Sequence, residues 1–357
     1  MDDESAYIHL GRFIEVIHTH DYKDSINLGI STNILSTFKP VGEGITPVDQ
    51  SISADFSFKS TLRTQEITLE KCFYRTDDVS FNVAKSKKVY KIEKDGKNTG
   101  VLLNRRNGFL FDTYYQGKVI LKSSAMADMF VFQQFQKGIE MELQKTLYLG
   151  PFRQSPLRKY QTHNSYPTEV GSEGEAAVTI LANEHVRSSS KTLTTCVSRW
   201  FQELGLANSI KVSRLPSSDM FHLSVKLPDN VELPIADLGY GMSQVLPVLV
   251  QCANAEVGST LLFEQPEIHL HQGAASKLGN VFIETAKQKN CHIIIETHSP
   301  ELFKQIFSKL RNGDIAPEDF IAYKVQRVGS SSIIEPVEIV EEDGDFDIYD
   351  PWEKILK

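Results

Sequence analysis

The sequence has no run approaching 18 apolar residues, so no membrane-spanning helix is expected. It has no internal repeat and no low-complexity tract, which leaves repeat and linker-type chains without support. Cysteine is scarce. Cys72, Cys196, Cys252 and Cys291 stand apart with no C-x-x-C pair, which argues against a zinc site or a disulfide frame and reads as reduced thiols of a cytoplasmic protein. Positive charge is in deficit, with 38 Lys and Arg against 46 Asp and Glu. The resulting net charge of −8 argues against a non-specific, strongly basic nucleic-acid binder, while leaving room for a local basic patch. The opening residues, MDDESAYIHLGRF, are acidic and lack an apolar h-region, so no secretory signal is expected. What remains is ordinary for a globular chain that buries a full core: 41% hydrophobic and 24% charged residues over a length of 357, enough for one large domain or two.

Along the chain, Ile8–Ile17 reads as a short helix, Ile26–Ile30 as a strand and Gly42–Pro47 as a loop. Residues 51–123 read as antiparallel β, because Phe56 and Phe58 and their counterparts in EITLEKCFYR and VSFNVA alternate with polar neighbours. Turn signals separate the runs at TDD (76–78), KDGKNTG (94–100), RRNG (105–108) and YQGK (115–118), with Lys94-Asp95-Gly96-Lys97 the best hairpin turn. Residues 124–147 have helical periodicity. Tyr148–Tyr160 is a Pro-rich connection carrying Arg153, Arg158 and Lys159; it reads as a solvated linker rather than as a basic loop near a phosphate or an acidic partner. A polar loop over Thr162–Glu175 precedes a helix from Ala176. Lys191–Leu206 is amphipathic, with Leu193, Val197, Trp200, Phe201 and Leu204 on one face, and two alternating runs then read as strands ending in a PDN turn. The last residues, from Glu341, are an acidic tail expected to be solvated.

Three short pieces between Asp237 and Leu302 carry the chemistry. Ser259–Phe263 is an apolar, β-capable run that ends in Glu264-Gln265-Pro266-Glu267. Open α/β sheets place ligands at such a strand end, and carboxylate oxygens there suit Mg2+. His269 and His271 follow two residues apart, a spacing that favours packing or helix-start roles over a metal site. Cys291–Ile295 reads as a second buried strand, ending in Glu296-Thr297-His298-Ser299-Pro300, with His298 placed to meet a phosphate. Ahead of both, Leu238–Gln244 holds Gly239 and Gly241, whose small size lets backbone approach a ligand. Ser243 is a candidate cap for the helix that follows, and Pro247 is expected early in that helix.

The order of GYGMSQVLPVLVQ, LLFEQPEIHLH and HIIIETHSPELF, with LGPFRQSPLRKY upstream and RNGDIAPEDFIAYKV downstream, resembles the ATP-binding heads of the ABC/SMC-like ATPases, in the flavour of the RecF/OLD-like prokaryotic AAA-type group. The likeness covers residues 148–340 and the rest more loosely. It implies an α/β, ABC-type ATPase head with a mixed central sheet, an antiparallel β lobe and a helical segment. It also implies the cofactors ATP and Mg2+. Glu264 would hold Mg2+ through water, Gln265 would stand where relatives place the glutamate that activates water, Glu267 would follow it, and His298 would sense the γ-phosphate. Gly239, Gly241, Ser243 and Gln244 would meet the nucleotide of a second head, because two heads sandwich two ATPs in this superfamily. The implied partners are a second copy or higher oligomer, an effector protein in anti-phage defence and a nucleic acid, with no membrane. The implied boundaries are 1–147 for the first part of the head with its β lobe, 148–236 for a connecting helical segment, 237–340 for the second part and 341–357 for the tail.

Two departures qualify the likeness. The superfamily uses a phosphate loop, G-x-x-x-x-G-K-S/T, whose amides and Lys cradle phosphate. Gly96-Lys97 and Gly117-Lys118 are followed by Asn98 and Val119 and lack the earlier glycine, so the motif does not occur in the sequence. Residues 7–31 resemble the segment that comes after that loop's helix in relatives, so the expectation is that the loop lies upstream or in another polypeptide; a degenerate head that serves as a scaffold is the alternative. The second departure is Gln265, since an amide cannot act as a general base. An OLD-type nuclease is disfavoured, because the stretch after Leu302 is expected to be too short for a metal-binding carboxylate domain.

Overall fold

The computed structural model describes residues 25–36, 48–60, 67–105, 111–114, 123–161, 166–216, 218–329, 331–337, 339–342 and 345–348. The expected helix at Ile8–Ile17, the loop at Gly42–Pro47, most of RRNG and the YQGK turn lie outside the described residues. The chain divides into two compact units: one runs through the described residues up to Gln144, the other over Lys145–Val328.

The first unit is an antiparallel meander of β1 (Ile26–Ser36), β2 (Val48–Ser60), β3 (Ile67–Arg75), β4 (Ser80–Ser86), β5 (Val89–Lys94), β6 (Lys97–Arg105) and β7 (Phe111–Tyr114), paired in chain order. Period-two alternation turns Ile52, Ala54, Phe56 and Phe58 inward from β2, and Phe81 and Val83 from β4. A register shift at Ser57/Phe58 leaves Glu70 opposite no residue of β2, and the inward set of β3 changes parity across it, from Leu69 to Cys72 and Tyr74. The Asp95-Gly96 turn has positive φ at both residues, 46° and 73°, as a two-residue hairpin between twisted strands requires. Helix α1 (Ser123–Gln144) lays Met129, Phe132, Phe135 and Ile139 on this sheet at helical spacing. The helix stops three residues before the expected boundary at 147. After Lys145 the chain becomes extended, because Thr146–Leu149 pairs with a central strand.

The second unit is built on a parallel three-stranded sheet, with β13 (Thr260–Glu264) between β8 (Thr146–Leu149) and β14 (His292–Glu296). A small antiparallel sheet joins β10 (Ser209–Arg214), β11 (Met220–Lys226) and β12 (Glu232–Pro234), with the short β9 (Tyr160–Gln161) also on β11. Helices α2 (Ala177–Arg187), α3 (Thr192–Glu203), α4 (Tyr240–Asn254), α5 (Gln272–Lys289) and α6 (Pro300–Arg311) complete the unit. The core includes Val197, Trp200 and Phe201 of α3, Val245, Val248 and Leu249 of α4, and Leu261 and Phe263 of β13. The amphipathic face expected over Lys191–Leu206 is the one that packs inward. Ribbons of β15 (Tyr323–Val328) with β16 (Ser331–Pro336) and of β17 (Ile339–Glu342) with β18 (Asp345–Ile348) follow, so part of the expected acidic tail is a hairpin. One expectation is overturned here. β14 is not buried but alternates exposed and half-buried, with Ile294 60% exposed, because it pairs on one side only among the described residues.

Candidate functional site

The parallel pairing of β13 with β14 sets Glu264 directly beside Glu296 at the C-terminal ends of both strands. The loop after β13 leaves the sheet abruptly. Gln265 takes φ +43°, a left-handed conformation costly for a residue with a Cβ, and His269 takes φ +66°. Gln265 is held from one side by its own N–H, which donates to the Glu296 carbonyl at 2.9 Å. Glu267 turns back towards the second strand end, where its Oε1 accepts from the Thr297 hydroxyl at 2.6 Å and from the His298 amide at 3.3 Å. Its Oε2 is buried with no hydrogen-bond partner. The His298 Nε2 lies 3.3 Å from Glu296, and both side chains are largely exposed. Ser299 caps α6 by accepting from the Leu302 amide, and Pro300 occupies the first helical turn, so the chain reverses immediately after His298.

Neighbouring strands supply groups that the motifs did not identify. Tyr148 of β8 hydrogen-bonds Glu264; burial, together with that bond and the carboxylate's charge, pushes its phenol up to about 12. Arg153 corrects the linker reading of its segment. It is 4% exposed, and its guanidinium donates to the Gln244 carbonyl at 3.3 Å and to the Glu264 and Gln265 carbonyls at 3.1 Å each. Burial lowers its pKa to about 10, an effect that the Glu267 charge opposes. Arg158, in contrast, is exposed and pairs with Asp237.

Helix α4 begins at Tyr240 behind the N-cap Gly239, not behind Ser243. Ser243 therefore lies inside the first turn, where its hydroxyl donates to the Tyr240 carbonyl at 2.7 Å. Ser243 and Gln244 are 5% and 1% exposed, while Gly239 faces open space. Gly241 is needed by the chain itself, since a Cβ there would meet the His269 carbonyl at 2.5 Å. Tyr240 stacks edge-on against His269, with ring centroids 4.9 Å apart. His271 caps α5, its Nδ1 accepting from the Ala274 amide at 3.1 Å, as the spacing favoured. Pro247 lies well inside α4, so the Ser243 carbonyl loses its helical donor. The proline ring sits under Gly174, where a Cβ would come within 2.5 Å of it.

The structure thus brings Glu264, Gln265, Glu267 and His298 together at two strand ends, with Gly239, Gly241, Ser243 and Gln244 on the turn tied to them through Arg153 and His269. Among the described residues, no cluster of three or more His, Cys, Asp and Glu is arranged to hold a metal by protein ligands alone. Hard carboxylate oxygens at Glu264 and Glu296, side by side at the strand ends, fit Mg2+, which prefers few protein carboxylates plus water and phosphate. Nothing in spacing distinguished Arg153 from Arg158. Thr297 stands inside HIIIETHSPELF, but its partner Glu267 is thirty positions away, so no local signal marks it.

Residues 132–303 match the family described as the AAA ATPase domain. The OLD nuclease of Thermus scotoductus is 26% identical over 162 residues, 43% of this chain and 30% of that protein. The chain thus spans less than a third of that relative's length. Among solved structures, the SMC head domain from Thermotoga maritima is 9% identical with a TM-score of 0.33, covering 83% of this chain and 78% of that one. An SMC ATPase from a study of ATP-driven dimerisation and DNA-stimulated activation is 14% identical with a TM-score of 0.35, covering 44% of this chain and 89% of that one. No helix among the described residues is long and apolar enough to cross a membrane.

Proposed function

We propose, from a chain whose residues 132–303 match the AAA ATPase domain family, that ATP and Mg2+ bind at the ends of β13 and β14 and that nucleotide-dependent pairing of two heads controls an effector protein. The observation that carries this reading is the in-register pair Glu264 and Glu296, which gathers Gln265, Glu267, Thr297 and His298 around two adjacent strand ends. Glu264 would hold the metal through water, with Tyr148 beside the carboxylate. When bound, Mg2+ neutralises charge on the phosphates. His298, exposed and backed by Glu296, would meet the terminal phosphate. Gln265 cannot take a proton, so hydrolysis uses another group, such as Glu267 or His298, or is slow. The turn from Gly239 through Gly241 meets the nucleotide of the second head, with Ser243 and Gln244 supporting it from beneath. The effector, a role in anti-phage defence, a cytoplasmic setting and nucleic acid as a further partner rest on family analogy alone.

Gln265 favours one alternative, a non-hydrolysing head that acts as a scaffold. The ATP turnover of wild type and Gln265→Glu, each measured with the phosphate loop supplied from upstream sequence or a partner polypeptide, decides. A rise of about a hundredfold in the variant, the scale of a restored general base, supports the assignment. Unchanged or lower turnover counts against it. No turnover in either, with no calorimetric heat from Mg-ATP, supports the scaffold.

A further inference from the structure

We infer that Arg153 is a positioning residue: it locks the first turn of α4 to the loop after β13, so that Gln265 and Glu267 cannot shift independently of the turn that carries Gly241 and Gln244. Its functional consequence rests on the ATP-site reading above. The fork is what makes the link. One terminal nitrogen donates to Gln244 and the other to both Glu264 and Gln265, joining segments twenty residues apart in the chain.

The segment that carries Arg153 is itself pinned. The Gly150 amide donates to the Ser172 carbonyl at 2.8 Å, and the Gln154 amide to the Glu173 carbonyl at 2.9 Å. The two ends of the link differ. At one end, the Gln244 carbonyl accepts from Arg153 one residue after the Ser243 carbonyl, which Pro247 leaves without a helical donor. At the other end, Gln265 is strained at φ +43° and persists between two restraints, Glu296 on its N–H and Arg153 on its carbonyl.

The polar groups left over point the same way. Among the described residues, five buried side-chain atoms lack a hydrogen-bond partner, and three of them are Arg153 Nε, Gln244 Nε2 and Glu267 Oε2. Two donors and one acceptor are thus left without partners around one guanidinium, whose charge couples to Glu267 without a direct bond.

Hydrogen–deuterium exchange on the full chain tests this, with Arg153→Gln, with Arg153→Gln combined with Glu267→Gln, and with Arg153→Lys. In the single Gln variant, amides of 240–246 and of 264–271 should both exchange at least tenfold faster, and Tm should fall because Glu267 is left uncompensated. In the double variant Tm should recover while both segments stay fast. Lysine keeps the charge but donates from a single point, so at least one segment should remain fast. Wild-type exchange in both segments of either single variant overturns the inference. So does a double variant in which exchange recovers along with Tm, because Arg153 would then only balance charge. Where wild type turns over ATP, both Gln variants should lose turnover with KM little changed. A wild type that neither turns over nor binds Mg-ATP sinks the ATP-site reading, while the exchange result still decides the positioning role.

Discussion

The antiparallel lobe and the parallel-sheet unit solve the problem of burial differently. In the lobe, aromatic rings meet one another: Tyr74, Phe81 and Phe111 each contact Phe132, with centroids 5.4, 5.4 and 6.4 Å away. The one buried side-chain amide there among the described residues, Gln136, is satisfied by both backbone groups of Phe111. In the other unit, Arg153, Ser243, Gln244 and Gln251 are buried, and all five unpartnered buried side-chain atoms among the described residues belong to it. Left-handed residues in the lobe, Lys87 and Asp95, sit in hairpin turns; in the other unit Asn230 sits in a hairpin turn and Lys191 and Asn290 at helix ends, while Gln265 and His269 sit in the loop at the strand ends. A scaffold can satisfy every local preference at once; a site keeps exceptions where groups must remain available.

The largest effect expected from testing this contrast is in the lobe. Phe132 is fully buried among three rings, so Phe132→Ala should cost about 3–5 kcal/mol. Denaturant unfolding would measure the loss, and hydrogen exchange would show where it falls. Amides of β1–β7 should lose protection while those of β13 keep theirs. If β13 loosens equally, the two units share one cooperative core and the comparison breaks.

A smaller effect is expected at Gly241. A methyl there would press on the His269 carbonyl, and His269 already sits at φ +66°. Gly241→Ala should therefore cost about 1–3 kcal/mol by overpacking. Proteolysis or exchange over 264–271 should rise with it. A neutral substitution would mean that the loop after β13 yields freely and that its strain is not held by α4.

The same division governs how much of the molecule was legible in the sequence. The lobe announced itself because alternation of Phe56, Phe58, Phe81 and Val83 is a local signal, and Asp95-Gly96 is a local turn. The strand ends were legible because Glu264 and Glu296 close apolar runs. Three features were not. β8 was absorbed into the preceding helix, since four residues of strand carry too little periodicity to mark a boundary and only the pairing with β13 defines them. β14 looked buried because Ile293, Ile294 and Ile295 are all apolar, yet apolar composition cannot tell a central strand from an edge. Ser243 looked like a cap because capping residues are also found one turn into a helix, where the hydroxyl bonds back to the chain, here to Tyr240.

Arg158 sets the lower bound of the contrast. It lies five residues after Arg153 in the same Pro-rich segment, and both arginines read alike in the sequence. Arg158 meets Asp237 through both terminal nitrogens, at 2.5 and 3.0 Å, a two-point geometry. Yet its side chain is 71% exposed, so water screens the pair, and holding two long side chains together costs entropy. Arg158→Ala should therefore change stability by about 0.2–1 kcal/mol, a difference that shrinks with added salt. Exchange at 264–271 should stay at the wild-type rate, because Arg158 touches neither strand end. Denaturation at low and high ionic strength gives the first readout and exchange the second. A loss above about 2 kcal/mol, on the scale expected for breaking a desolvated pair, would show that the segment acts as one unit. The distinction between a buried positioning arginine and a solvated surface one would then have to be abandoned.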